Sequence, residues 1–84
     1  MKVTVIGKRE LDFKGSNGDQ IKGTKLFVTY PLDGVDGEMA DSVFVNEDVE
    51  IPADGIEIGL LYDLIYQKES LRGRERLVRI VEGL

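Results

Sequence analysis

The stretch Phe13-Lys14-Gly15-Ser16-Asn17-Gly18-Asp19-Gln20-Ile21 decides the fold of this chain. Its Asn17-Gly18 dipeptide readily takes the positive φ angles of a two-residue type I′ turn. Extended-looking runs lie on both sides of the dipeptide, over residues 3–13 and 21–30. The sequence therefore predicts a long antiparallel β-hairpin near the start of the chain.

A two-residue loop would fix the register of this hairpin. It places Phe27 opposite Lys8 and Glu10 opposite Lys25, and residues paired across an antiparallel hairpin share a face. One predicted face is apolar, and we expect it to lie in the core: Val3, Val5, Leu11, Phe13, Leu26, Val28 and Tyr30. The other is mainly charged and reads as solvent-facing: Lys2, Lys8, Glu10, Asp12, Lys14, Lys25 and Phe27. Arg9 falls on the apolar face, and a β-bulge at Gly7 is expected to turn it outward.

The rest of the chain predicts three more strands. Residues 31–37 read as a polar loop, 41–46 as a third strand, 52–55 as a turn and 74–82 as the last strand, preceded by a turn at 70–73. Residues 56–68 fit both helical spacing and strand alternation. Gly59 and the aromatic residues favour a strand there.

Five strands in this order predict one domain over residues 1–84, a small five-stranded OB-like Greek-key barrel. Ten glycines in 84 residues favour several short strands over long helices. The alternative is an α+β domain with one helix around residues 56–68.

Composition argues against catalysis and against a metal site. The chain has no histidine and no cysteine, so Ser16, Ser42 and Ser70 have no histidine to activate them. The acids of Asp33-x-x-Asp36-x-Glu38 do not follow the calcium-loop pattern, and we interpret them as a solvated loop. We expect a protein that is not an enzyme and has no cofactor and no metal.

No apolar run approaches the roughly 20 residues that a membrane-spanning helix needs. The opening residues 1–7 are too short for a secretory signal, so we expect a cytoplasmic protein that does not bind a membrane.

Charge is unevenly distributed along the chain. The net charge is −5, a sign that disfavours attraction to phosphate. Residues 68–79 hold five cations and two anions, so this stretch carries +3 and the remainder −8. The acids gather between residues 33 and 54.

Two groups of basic and aromatic residues suit single-stranded nucleic acid, which needs cations for the backbone and aromatic faces for the bases. The first group lies on the strands of the predicted hairpin: Lys8, Lys25, Phe27 and Tyr30. The second lies on the closing strands: Tyr62, Tyr66, Arg72, Arg74 and Arg76. The alternative for Phe27 is that it packs under another strand or in a dimer seam. The alternative for the arginines is an exposed hairpin tip whose charges keep an edge strand from pairing wrongly.

The chain also resembles the small OB-type single-stranded DNA-binding proteins of filamentous phages and bacterial mobile elements. The resemblance rests on four stretches: Lys2-Val3-Thr4-Val5-Ile6, Gly23-Thr24-Lys25-Leu26-Phe27-Val28-Thr29-Tyr30, Tyr62-Asp63-Leu64-Ile65-Tyr66 and Arg76-Leu77-Val78-Arg79-Ile80-Val81. It implies a homodimer that coats single strands with little sequence preference and serves DNA replication. The acidic charge and residues 32–59 depart from that pattern.

The sequence therefore predicts a non-catalytic protein that binds single-stranded nucleic acid, DNA by the resemblance. The alternative function is a protein–protein interaction module. Such a module would use its acidic middle segment to bind a basic protein partner, or pair through an edge strand.

Overall fold

The computed structural model describes residues 1–83 and contains no helix in that range. Its five strands are β1 (Lys2–Lys14), β2 (Gln20–Pro31), β3 (Glu38–Asn46), β4 (Leu61–Lys68) and β5 (Glu75–Glu82). They form a single antiparallel sheet in the order β3-β2-β1-β4-β5, which over residues 1–83 is not closed into a barrel. The prediction of a mostly β protein is confirmed, and the alternative of a helix around residues 56–68 is wrong.

The loop of the first hairpin is one residue longer than the sequence predicts. Lys14 pairs with Gln20, the Gly15 amide donates to the Asp19 carbonyl, and the Gly18 amide donates to the Gly15 carbonyl. Gly18 has a φ of 87°, and no non-glycine residue described has a positive φ. This is a three-residue loop in which a turn is followed by a left-handed glycine. The predicted type I′ turn is therefore wrong.

The longer loop changes which residues of β1 and β2 face each other. Lys8 pairs with Leu26 and not with Phe27, and Glu10 pairs with Thr24 and not with Lys25. Successive side chains of a strand point to opposite faces of the sheet. A one-residue shift of β1 against β2 therefore exchanges the two faces for the β1 residues next to the loop. The predicted hairpin register is thus wrong.

A β-bulge near the start of β1 restores the expected faces there. The register shifts between Val5 and Gly7, which confirms the bulge predicted at this glycine. Because the bulge adds a residue to β1, Val3 and Val5 lie on the same face as Val28. Both valines are buried, as the sequence predicts.

The core lies on one face of the sheet and is entirely apolar or aromatic. Its buried members are Val3, Val5, Leu26, Val28, Val45, Val49, Ile56, Tyr62, Leu64 and Ile80. Burying an aliphatic side chain stabilises a fold by about 1.5–3 kcal/mol. Leu11 and Phe13, which the sequence assigns to the core, are half-buried and exposed, because the shifted register places them on the opposite face.

The connection from β3 to β4 packs across the core face. It contributes buried Val49 and Ile56, and it turns at 52–55, where the Gly55 amide donates to the Pro52 carbonyl as predicted. Glu50 forms an isolated parallel bridge with Arg79 of β5. The chain that leaves one edge strand therefore contacts the other edge strand. None of the described residues forms a helix that could cross a membrane.

Candidate nucleic-acid interface

The face of β1, β2 and β3 turned away from the core is called the outer face below. Leu26 and Val28 of β2 are buried, so the alternating residues Lys25 and Phe27 point to the outer face. Pairing across the sheet places Arg9 of β1 beside Lys25, and Phe44 of β3 on its other side. One row across three strands therefore carries two cations and an aromatic ring.

Arg9 and Lys25 are directly opposite each other in the β1–β2 ladder. Directly opposed side chains have Cβ atoms about 4.5–5.5 Å apart, and opposed like charges destabilise a sheet. Neither cation forms an ion pair with any residue between 1 and 83. The pair is therefore a place where an anion would relieve repulsion.

Two phenylalanines neighbour Lys25 on the outer face, and the ring of each lies over a glycine of a neighbouring strand. A Cβ atom built on Gly7 would lie 3.4 Å from Cδ2 of Phe27, and one built on Gly23 would lie 2.5 Å from Cζ of Phe44. The Lys25 Nζ lies 5.6 Å from the centre of the Phe27 ring, within the range of a cation–π contact. Phe27 keeps 37% of its surface exposed.

The outer face differs in charge from the protein as a whole. Over residues 7–13, 21–29 and 40–46, the outer-face positions hold Arg9 and Lys25 but no Asp or Glu. Glu10 and Asp12 point to the opposite face, where they accept hydrogen bonds from Thr24 and Gln20. The acidic net charge is thus not spread evenly, and this surface is locally cationic.

Lys8 lies elsewhere than the sequence predicts. It shares the core side with Leu26, and its Nζ donates to the Ile56 carbonyl at 2.9 Å. The lysine therefore ties β1 to the β3–β4 connection, and it does not accompany Phe27.

The three tyrosines also lie away from the outer face. Tyr62 is only 2% exposed, and its hydroxyl accepts a hydrogen bond from the Glu57 amide at 2.8 Å. Tyr30 packs against the core cluster. Burial raises the pKa of Tyr66 above its ordinary value, and the nearby Asp41 and Glu75 carboxylates raise it further. The two carboxylates near Tyr66 disfavour a phosphate beside that ring, so Tyr66 does not extend the cationic face.

The three arginines of the closing hairpin lie in two different elements. Arg72 and Arg74 lie in the connection before β5, whose turn is closed by the Gly73 amide and the Ser70 carbonyl. Arg76 lies in β5 and forms ion pairs with Glu69 at 3.1 Å and Asp48 at 3.6 Å. Only Arg72 and Arg74 of the three have no such partner within residues 1–83.

Sequence reasoning missed Arg9 and Phe44 as members of this surface. The signal for Arg9 was that the predicted register put this cation on an otherwise apolar face. The one-residue shift in register places Arg9 on the outer face instead. Phe44 gives no signal of its own, because its position beside Lys25 depends on how β3 pairs with β2.

Within the described range, no three acidic, histidine or cysteine side chains are grouped so that they could hold a metal ion. Comparison with protein-family models, with curated proteins and with solved structures found no match.

Proposed function

We propose that the protein binds single-stranded nucleic acid, DNA with little sequence preference, through the outer face of β1–β3. The observation that carries this proposal is the cation pair Arg9–Lys25, with Phe44 beside Lys25 on β3 and Phe27 two residues along β2 on the same face. A phosphate placed between the two cations would remove their mutual repulsion and form two charge-assisted contacts.

The aromatic rings supply the second half of the interaction. Phe27 pairs with Ser42, so Phe44 is its diagonal neighbour, and such neighbours are about 7–8 Å apart in an antiparallel sheet. Stacked bases are about 3.4 Å apart along one strand of a duplex. The strand positions that carry the two rings are thus farther apart than stacked bases, which suits bases of an extended single strand. Stacking is tolerant of sequence because every base has a π face.

The same proposal extends the sheet to an OB-like barrel. The strand order and the parallel bridge between Glu50 and Arg79 support this architecture. The bridge joins the chain that leaves edge strand β3 to the other edge strand, β5. In such barrels the sheet formed by the first strands presents an outward surface to oligonucleotides.

The experiment is a titration of fluorescently labelled oligothymidine followed by anisotropy at low salt. Phe27→Leu keeps an apolar side chain over Gly7 but removes the aromatic ring. It should weaken binding roughly 5- to 150-fold, the equivalent of about 1–3 kcal/mol per base. Lys25→Ala should lower the slope of log affinity against log salt by about 0.7, the value for one phosphate contact on a single strand.

Lys22→Ala is the matched control for Lys25→Ala. It removes the same charge from the same strand, but Lys22 pairs with Asp12 on the opposite face. The control should bind like the unmodified protein. Absence of binding by the unmodified protein at low salt, or an equal loss in Lys22→Ala and Lys25→Ala, would contradict the proposal.

A second candidate is a protein-interaction module. Residues 26–67 contain ten acids and no Lys or Arg, and β3 is an edge strand of the sheet. A basic extended segment could pair with this edge. The Asp41 carboxylate already accepts the Ser42 amide at 2.7 Å, which occupies one backbone donor of β3. Calorimetric titration with a lysine-rich extended peptide tests this candidate. If the Asp41→Ala variant gave the same heat of binding as the unmodified protein, pairing at that part of the edge would be contradicted.

A further inference from the structure

A cavity lies between the core side of the β1–β2 hairpin and the β3–β4 connection, on the face of the sheet opposite the outer face. Its volume is about 180 Å³, and it is called the hairpin cavity below. It adjoins a larger cavity of about 440 Å³, with which it shares Glu10 and Ile51. Four aliphatic and three polar side chains line the hairpin cavity: Leu26, Val45, Ile51 and Ile56, with Lys8, Glu10 and Thr24.

The aliphatic walls of the hairpin cavity come from both the sheet and the connection. Leu26 and Val45 lie on the neighbouring strands β2 and β3 and are buried. Ile56 of the connection is also buried, whereas Ile51 keeps 46% of its surface exposed. An apolar cavity of about 150 Å³ is large enough to bind benzene. The hairpin cavity therefore has room for one aliphatic side chain of a ligand.

An ammonium group and a carboxylate lie side by side at the hairpin wall of this cavity. Lys8 and Glu10 are two residues apart on β1, so they share a face. Within residues 1–83 they form no ion pair with each other. The Lys8 Nζ donates to the Ile56 carbonyl at 2.9 Å, and the Glu10 carboxylate accepts the Thr24 hydroxyl at 3.0 Å. Each charged group is thus oriented by a neutral partner, and each has hydrogen-bonding capacity left for a ligand.

We propose that the hairpin cavity binds a free α-amino acid with a branched aliphatic side chain, such as leucine. The carboxylate of the ligand accepts from Lys8, its ammonium group donates to Glu10, and its side chain lies between the aliphatic walls. Residues two apart on a strand are separated by about 6.6 Å, so one small ligand with two charged groups can contact both. This inference does not depend on nucleic-acid binding, which is assigned to the opposite face.

A ligand with both charges fits this site better than a ligand with one. An anion such as a fatty acid or a phosphate would be attracted by Lys8 but repelled by Glu10. An amine without a carboxylate would be attracted by Glu10 but repelled by Lys8. A neutral apolar molecule would fill the cavity and leave both charges without a contact. An amino acid satisfies the two charges and the aliphatic walls together.

The experiment is a titration of the full chain with leucine, without nucleic acid, followed by amide chemical shifts in NMR. Saturable shifts are expected at Val45, Ile51 and Ile56, whereas the amides of the turn at 70–73 should not move. Leucinamide lacks the carboxylate and N-acetylleucine lacks the ammonium group. Each should bind roughly tenfold more weakly than leucine, the effect of one lost hydrogen bond between charged groups. Glycine should also bind more weakly, because it has no side chain to bury.

Glu10→Gln removes the charge but keeps an oxygen that can accept the Thr24 hydroxyl. It should weaken leucine binding roughly tenfold and leave the binding of N-acetylleucine unchanged, since that ligand has no ammonium group. Asp12→Asn is the matched control. Asp12 is the next residue on the same side of β1, where it accepts a hydrogen bond from Gln20, and it does not line the hairpin cavity. This control should bind leucine like the unmodified protein.

Circular dichroism confirms that both variants are folded. Absence of saturable shifts with leucine up to its solubility limit would overturn the proposal. Equal affinities for leucine and N-acetylleucine, or an equal loss of leucine binding in Glu10→Gln and Asp12→Asn, would overturn it as well.

Discussion

Gly23 and Gly7 are each covered by a phenylalanine ring on the outer face, but they have different room for a side chain. A Cβ atom on Gly23 would lie 2.5 Å from both the Phe44 ring and the Val45 carbonyl oxygen. The ring could rotate away, whereas the carbonyl belongs to the backbone of β3. On Gly7 the nearest atom would be 3.4 Å away, in the Phe27 ring, which is ordinary van der Waals contact.

Gly23→Ala should therefore lower the free energy of unfolding by about 1–3 kcal/mol, the usual effect of overpacking. Gly7→Ala should change it by less than about 0.5 kcal/mol, as expected for a site with adequate space. Urea denaturation of both variants measures the difference. Equal stabilities would contradict the close approach of Phe44 to β2.

The loop of the β1–β2 hairpin decides which face each β1 residue occupies. Gly18 has a φ of 87°, a conformation that costs a residue with a Cβ about 1–2 kcal/mol. Gly18→Ala should destabilise the protein by about that amount in a denaturation experiment. Ser16→Ala, in the same exposed loop, should have little effect. A neutral Gly18→Ala variant would count against the left-handed glycine.

The hairpin shows how far sequence alone could predict this fold. Asn-Gly predicts a hairpin, and Gly7 predicts a bulge, because both depend on local backbone preferences. Loop length could not be predicted, because both loop types place a glycine with positive φ after Asn17. The one-residue difference exchanges Lys8 and Arg9 between faces. The candidate site at Arg9 was therefore missed although its strand was predicted.

Other features of the site depend on contacts between distant elements. Phe44 reaches the outer face beside Lys25 only through the pairing of β3 with β2. Val49 and Ile56 are buried although they lie in an acidic connection without strand alternation. A periodic pattern of apolar residues indicates which side of a strand or helix is buried. It gives no information on a connection that packs against a core formed by other strands.

At the scale of the whole molecule, segregation of charge reconciles an acidic chain with a cationic face. Residues 26–67 hold ten of the 16 acids and no cation. Screening limits exposed charges to a range of about 8 Å at physiological salt. The acids of the β3–β4 connection therefore act mainly on their own surroundings, and the net charge of −5 does not set the potential at Arg9 and Lys25.

Within the described residues, Glu50 makes the backbone hydrogen bonds that join the β3–β4 connection to the edge strand β5. The Glu50 amide donates to the Val78 carbonyl at 3.1 Å, and the Glu50 carbonyl accepts the Ile80 amide at 2.7 Å. Glu50→Pro removes the amide donor, whereas Glu50→Ala keeps both backbone hydrogen bonds. Loss of a backbone hydrogen bond should lower the free energy of unfolding by at least about 0.5–1.5 kcal/mol.

The sharper readout is hydrogen exchange at the Ile80 amide. Ile80 lies on β5 at an edge of the sheet, so its protection depends on Glu50 as acceptor. In Glu50→Pro the segment should detach from β5 and the Ile80 amide should exchange faster, while the amides of β2 keep their protection. Glu50→Ala should leave the Ile80 exchange rate unchanged. An Ile80 amide that stays equally protected in the proline variant would show that the β3–β4 connection does not hold β5, and would remove the support that this bridge gives to an OB-like barrel.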